Sequence, residues 1–476
     1  STQAKTLFPY TTLFRSSSAI GVASVYALTP SSNWIHSMKT NISLSRKNIA
    51  AAVMMTCFAF SQQALAQDGK VQSSGLGLSS ANGETTINLT GRLHFDVRSF
   101  NSAFDENVST NPSTAKYADT YDIRRARIGF NGTLMKDIAY EVVFNAASSD
   151  STNLDTGFIN YSFSKPLQFR VGKFKQQFNL EELTSSNNID FIERSYANQF
   201  APGKKLGMML HGAPNDGLYY GVSMFQDATA VSSASRNTQT SARLAGNIAK
   251  LADIKDSVLH LGAAQTSGSF DLAAGTSGDV LKLRSDSRGV DGVFGSKFAN
   301  PSATNVNEVK RSQTGIELAY AFGPFKAQAE TVKSEYEYSN GSIVTPNSID
   351  GKIKSQYLAL VYNITGEKWS DAYKDGAFGG IKPLSNFRSS GKGNGAWQIG
   401  VRKSSYDASD WVSTTSTTGS KKGDTTTLGI NWILNPNARI MLNHSTSKFN
   451  TAFSAYSGGP SGDKETVTTL RTQINF

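Results

Sequence analysis

Three arginines fall within four residues of the stretch "YDIRRARIGF": Arg124, Arg125 and Arg127. A guanidinium is permanently charged and carries forked N–H donors, so such a cluster matches the oxygens of phosphate or carboxylate. Nothing comparable supports catalysis. Beyond residue 66 the histidines are His94, His211, His260 and His444, with no HExxH and no nucleophile elbow. His444 and Ser445 are adjacent, which on a strand sends them to opposite faces, the wrong geometry for a Ser–His pair. "GKGNG", Gly391 to Gly395, lacks the strand–helix setting of a phosphate loop and reads as a turn. The single cysteine, Cys57, lies in an apolar leader, so neither a disulfide nor thiol chemistry is expected, and no motif in the chain calls for a metal or cofactor.

The elements that must carry these arginines are strands. In "TTINLTGRLHFDVRSF", Ile87, Leu89, Leu93, Phe95 and Val97 share one face, while Asn88, Thr90, Arg92, His94, Asp96 and Arg98 share the other. Period two places the sets on opposite sides of a strand. The pattern recurs in "AYEVVFNAA", "LQFRVGKF", "LYYGVSMFQ", "IELAYAF", "QYLALVYNI", "AWQIGVRKS" and "TTLGINWIL", separated by Gly, Asn, Asp, Ser and Pro clusters. About 16 such segments are near the roughly 9–11 residues that a tilted membrane strand needs. No linker, long helical pattern or run of 18 apolar residues interrupts them. The expected fold is all-β, a transmembrane antiparallel barrel of about 16 strands over residues 85–476, apolar outside and polar inside. A barrel of that size keeps an aqueous lumen.

Both ends of the chain fit export. Lys39, Arg46 and Lys47, the apolar run Ile49 to Phe60, and Ala64-Leu65-Ala66 read as a signal peptide over residues 38–66. Residues 1–37 precede it and contain "TLFPYTTLFRS", which resembles a translated sequencing adapter, so they read as a gene-model artefact. Residues 67–84 read as a periplasmic extension. Setting aside Lys5, Arg15, Lys39, Arg46 and Lys47 leaves 42 of the 47 basic residues against 37 acids, a net charge of +5 in place of +10. The chain ends "TTLRTQINF", with Leu470, Thr472, Ile474 and Phe476 on one face. A terminal aromatic on an amphipathic strand is the signal expected by the barrel-assembly machinery. The location implied is the outer membrane of a Gram-negative cell.

Alternation sends Arg92, Arg98, Arg125, Arg127, Arg170, Lys326, Arg402, Arg439 and Arg471 into the lumen, offset in part by Asp96 and Glu330. Arg124 falls on the lipid face, where an Arg at mid-bilayer costs about 2–4 kcal/mol. The period therefore requires a rim position, a bulge or a neighbouring subunit there. From Asn179 to Pro202 the alternation lapses in "NLEELTSSNNIDFIERSYANQFAP". A loop of this length either covers the outside of the barrel or folds inward as a constriction, which would bring its Arg194 to the narrowest point.

Together these stretches resemble the phosphate-selective porin O and P family, from about Gly83 to Phe476. "GRLHFD", "RRARIGFNGTLMKDIAYE", "RVGKFKQQFNLEELTSS", "FIERS", "GGIKP" and "GAWQIGVRKSSYD" carry the likeness by their order. The resemblance implies a homotrimer in outer-membrane lipid, small anions such as phosphate as partners, and no nucleic acid. It places a central arginine pair on Arg124 and Arg125, a constriction-loop arginine on Arg194 and a site aspartate on Asp155. "LKLRSDSRG" matches an arginine ladder, giving Lys282, Arg284 and Arg288. With these, Arg92, Arg98, Arg170 and Arg402 would form the basic path. Two lysines of the pattern stand here as Asn187 and Ala139, which favours general anion preference over tight phosphate binding. A general porin or a surface adhesin is the alternative.

Overall fold

The computed structural model describes residues 70–71, 76–102, 120–147, 153–226, 237–272, 277–299, 307–339, 348–414, 416–454 and 461–476. The leader readings at 1–37 and 38–66 lie outside the described residues. The main sheet has 19 strands, three of them additions of two or three residues (Lys70–Val71, Gly77–Ser79 and Val412–Ser413). The rest form the wall.

In chain order these are β1 Thr86–Ser102, β2 Thr120–Leu134, β3 Ile138–Asn145, β4 Asn153–Ser162, β5 Gln168–Lys175 and β6 Lys204–Asn215. Then come β7 Leu218–Gln226, β8 Thr238–Asn247, β9 Ser257–Leu272, β10 Asn307–Phe322 and β11 Phe325–Ser339. The wall ends with β12 Ser348–Asn363, β13 Ala396–Asp407, β14 Lys422–Asn435, β15 Ala438–Ser454 and β16 Ser461–Asn475. Each pairs antiparallel with the next, and β16 returns to β1 with Arg471 opposite Asp96, so the sheet closes and leaves no edge.

Alternation explains the wall. Along β12 exposure switches at every residue, with Leu358, Leu360 and Tyr362 outward and Tyr357, Ala359 and Val361 inward. Leu93, Ile128, Ile159, Met208, Val222, Leu244, Leu318, Ile399 and Leu428 continue the outer apolar belt. At the short-turn end Trp397 stacks on Trp432 at 5.1 Å, in the girdle position of membrane barrels. Phe476 joins that end: its main chain exchanges hydrogen bonds with Gly91 at 2.9 and 3.1 Å. A Cβ at Gly91 would lie 2.3 Å from the Phe476 ring, so any larger residue there would displace the ring from this seat. "GKGNG" is a turn, closed by the Arg388–Gly393 bridge.

The lumen is not polar throughout. Among the described residues, several segments fold into it and bury an apolar core against β9 to β15, the one between β13 and β14 adding Ala408 and Trp411. The loop 176–203 brings Phe178, Leu180, Phe191, Tyr196 and Phe200. The hairpin Ser277–Arg284 with Asp291–Ala299 brings Leu283, Val290, Val293 and Phe294. The segment 364–395, which enters from the short-turn end, brings Trp369, Phe378 and Ile381. They meet Val332, Tyr336, Ile353, Tyr357 and Val361 from the wall. Each fully buried side chain of this size is worth about 1.5–3 kcal/mol, so the inward segments dock as parts of the fold.

Candidate functional site

The constriction is held by its own anchors. Loop 176–203 opens with a short helix, Leu180–Leu183, whose first amides donate to the Glu330 carboxylate at 2.8 Å each. Lys326 donates to Asp190 at 2.8 Å and lies 3.7 Å from the Trp369 ring, joining the loop to segment 364–395. Gly400 and Gly429 face each other on β13 and β14 and leave a flat seat for Phe191, where a Cβ would sit 3.1 to 3.2 Å from the ring. Arg402 donates to Glu181 at 3.1 Å and to the Glu193 carbonyl at 2.9 Å. Arg471 donates to the Ile192 carbonyl at 2.7 Å.

Two bulges aim the site residues. Opposite β1 the register passes from His94–Arg125 to Phe95–Ile123, which leaves Arg124 as the extra residue. Arg124 therefore turns into the lumen beside Arg125, and the lipid face at this level holds Ile123. The bulge removes the conflict posed by strict alternation. On β4 the register passes from Thr156 to Leu154, which makes Asp155 the extra residue of a second bulge. Bulges re-aim side chains in this way.

Arg124, Arg125, Arg194, Arg284 and Arg288 line one cavity of about 160 Å³, together with Glu193, Ser195, Asn198, Gln199, Ser285 and Asp286. Arg124 grips the Glu193 carboxylate through Nε at 2.8 Å and Nη2 at 3.2 Å. Arg125, buried, reaches His94 Nδ1 at 3.4 Å. Arg194 donates to the Glu181 carbonyl at 3.0 Å and the Thr184 carbonyl at 2.8 Å, so it braces the loop as well as lining the cavity. Burial pushes the Glu193 carboxyl up, but Arg124 overcomes this and, with Arg471 and Arg125, holds it well below the usual carboxylate range. At Asp286 burial wins over Arg402 and raises the carboxyl to about 7. Burial, aided by Arg124, lowers Arg288 to about 10.

A second cluster lies beside the first. Asp155 pairs with Arg127 at 2.8 Å and also with Lys204. Arg92 donates to Ser186 at 2.9 Å, and Lys175 and Arg194 both lie 3.6 Å from Glu182. The remaining expected residues spread out. Arg98 is enclosed by Asp96, Asp122 at 3.2 Å and Glu193 at 3.6 Å. Arg170 lies away from the cavity, 4.2 Å from the Phe158 ring and bonded to Asn160. Lys282 and Arg284 share Asp291 on the hairpin, at 2.8 and 3.5 Å. Arg402 is buried behind the loop, between Glu181 and Asp286, and does not line an open path. Asn187 meets His94 at 3.2 Å, and Ala139 pairs with Thr133 and Asn160 on the wall.

Sequence reasoning missed Lys175, Lys204, Glu181, Glu182, Glu193 and Asp286. Glu193 stands next to Arg194 in "FIERS", and Asp286 lies inside "LKLRSDSRG". The only signal available was their adjacency to residues already singled out.

A closed barrel with an apolar outer belt and a guanidinium-lined constriction is a diffusion channel of the outer-membrane porin class. The family profile for "Phosphate-selective porin O and P" matches residues 87–476, and the chain belongs to that family. Porin O of Pseudomonas aeruginosa is 26% identical over 387 residues, covering 77% of this chain and 84% of that protein. Among solved structures, in-vitro folded OmpT, an outer membrane protein of Vibrio cholerae, matches with a TM-score of 0.49 at 10% identity, covering 83% of this chain and 98% of its own. The outer membrane channel DcaP of Acinetobacter baumannii matches at 0.49 and 11% identity, covering 86% and 99%. The protein is thus a porin of the Gram-negative outer membrane, and its constellation is that of a channel and not of an enzyme.

Proposed function

We propose that the pore prefers anions and that the cavity around Arg124 and Arg125 is where a small oxyanion, phosphate first among them, exchanges part of its hydration shell for guanidinium donors. One observation carries this reading: five arginines converge on a single cavity that contains two acids. Low-dielectric walls focus the field of such a cluster and concentrate counter-ions there. The family description and the name of the Pseudomonas relative support phosphate as the cargo class. Arg127, Asp155, Arg92 and Lys204 form the approach, and the hairpin cations Lys282, Arg284 and Arg288 form the other side. The channel works as a homotrimer in this reading, with Phe476 as its assembly signal.

Pairing of Arg98 and Arg127 with acids, and Asn187 and Ala139 where the family pattern has lysines, favour a second reading: anion preference without a tight phosphate site. Single-channel chloride current with added inorganic phosphate separates the two. Block at low phosphate means a site. An anion-selective reversal potential without block means a general anion pore, and a cation-selective or unselective reversal potential refutes both.

A further inference from the structure

The arginine-lined cavity already holds a carboxylate. Glu193 projects from loop 176–203 into the arginine cluster, where Arg124 holds it side-on through two donors at 2.8 and 3.2 Å. Arg471 lies 3.3 Å and Arg98 3.6 Å from the same Oε1. The other acids nearby are committed elsewhere. Asp96 is gripped by Arg471 at 2.6 and 2.7 Å, and Asp286 faces Arg402 at 3.4 Å. Arg124 has Glu193 as its ion-pair partner.

A carboxylate and one edge of a tetrahedral oxyanion present the same two-oxygen face to a guanidinium fork. The Glu193 main chain is fixed independently of its carboxylate, by Arg402 on its own carbonyl at 2.9 Å and Arg471 on the Ile192 carbonyl at 2.7 Å. Its side chain can therefore swing while the loop stays docked. The cavity beside it, lined by Arg125, Arg194, Arg284 and Arg288, gives an entering anion a place to wait.

We propose that Glu193 is a tethered counter-ion that occupies the seat of the permeating oxyanion and competes with it for Arg124. This rests on the reading of the pore as anion-preferring. An arriving anion displaces the carboxylate, and the carboxylate's return displaces the anion. Conduction needs binding that is favourable enough to enter and weak enough to leave. Competition supplies the second half. The apparent affinity is the intrinsic one reduced by the fraction of time that the seat is vacant, so a seat filled 99 parts in 100 weakens binding about a hundredfold.

Glu193→Gln removes the charge and keeps the shape. In full-length channels in planar bilayers, inorganic phosphate should then block chloride current at a concentration at least about tenfold lower, with longer dwell times. Unchanged or weaker block in folded Glu193→Gln, with wild type still anion-selective, overturns the proposal and leaves the channel reading intact. A wild-type channel without anion preference refutes the channel reading itself. The gain must also depend on the seat. In an Arg124→Gln background, Glu193→Gln should produce no tighter block, and a gain that persists there overturns the direct role. That double variant removes both partners of the pair, so it also guards against misfolding from an unpaired buried arginine. Glu193→Asp withdraws the carboxylate by about 1.5 Å, the length of one C–C bond. It should fold and show a gain of a few-fold, and no gain counts against the proposal.

Discussion

Replacing Arg402 with methionine should release the constriction loop and the hairpin together. Its guanidinium donates to Glu181 at 3.1 Å, to the Glu193 carbonyl at 2.9 Å and to Asp286 at 3.4 Å, and its side chain is 2% exposed. Removing one partner of a buried ion pair costs about 3–5 kcal/mol, because the other charges stay buried. The wall need not open to relieve this, since every wall strand is hydrogen-bonded on both sides. The inward segments can. At about 1.4 kcal/mol per decade, the ratio of docked to undocked loop falls between about a hundredfold and a few thousandfold. Single-channel recording should show larger, noisier conductance and a reversal potential closer to zero. Arg402→Lys keeps the charge without the fork and should fall between. If Arg402→Met assembles poorly, adding Glu181→Gln and Asp286→Asn should restore the folded barrel while the loop stays loose. A folded methionine variant with wild-type conductance, noise and reversal potential would refute the role of Arg402 as the clamp.

Asp286 should make anion binding depend on pH. Its folded carboxyl titrates near 7 instead of 3.8, so below neutrality it is uncharged and the cavity gains one positive charge. Sulfate, a dianion throughout, should block chloride current more strongly at pH 6 than at pH 8, and Asp286→Asn should flatten the profile at the low-pH level. Stability follows the same linkage: the folded form takes up the proton, so stability falls as pH rises from about 4 to about 7 and is level above. A sulfate profile as steep in Asp286→Asn as in wild type would assign the titration to another group. At the other end of the barrel, deleting Phe476 should reduce the yield of heat-modifiable folded barrel without changing the reversal potential of channels that do form. Gly91→Leu should mimic it, because the new side chain occupies the ring's place.

Much of the wall could be read from the chain, because period two is a local property. The faces of β1, the outward Leu358 and Leu360 of β12 and the terminal Phe476 stand where alternation puts them. Arg124 does not. Its inward turn depends on a register shift between β1 and β2, set by how His94 and Phe95 pair across the strands. Asp155 reached the site only by resemblance, for the same reason: its bulge is a property of two strands. Segment 364–395 was less legible still. "EKWSDAYKDGAFGGIKP" has no period, and its Trp369 and Phe378 become core only because Lys326 and the loop meet them inside the barrel. Tyr357, Ala359 and Val361 face inward yet are apolar, which only an occupied lumen explains.

That occupied lumen changes which charges select. A cation paired within a rigid contact contributes little to the field an ion meets at a distance, since the pair is a dipole and its field falls off faster than a charge's. Arg402, Arg471 and Lys326 are of this kind, each buried against a carboxylate and each fixing an inward segment. The cavity is different: Arg124, Arg194 and Arg284 have Glu193, Glu182 and Asp291 as partners, but Arg125 and Arg288 line the same volume of about 160 Å³ with no ion pair among the described residues. Beyond residue 66 the whole chain carries an excess of only +5, so overall composition says little about preference. Preference arises where the packed core holds unlike numbers of charges at short range and keeps water from screening them. On the proposed reading the apolar core serves selectivity: Phe191 on its glycine seat fixes the loop that carries both Glu193 and Arg194. A substitution there, far from any charge, acts on the ion through the position of the loop.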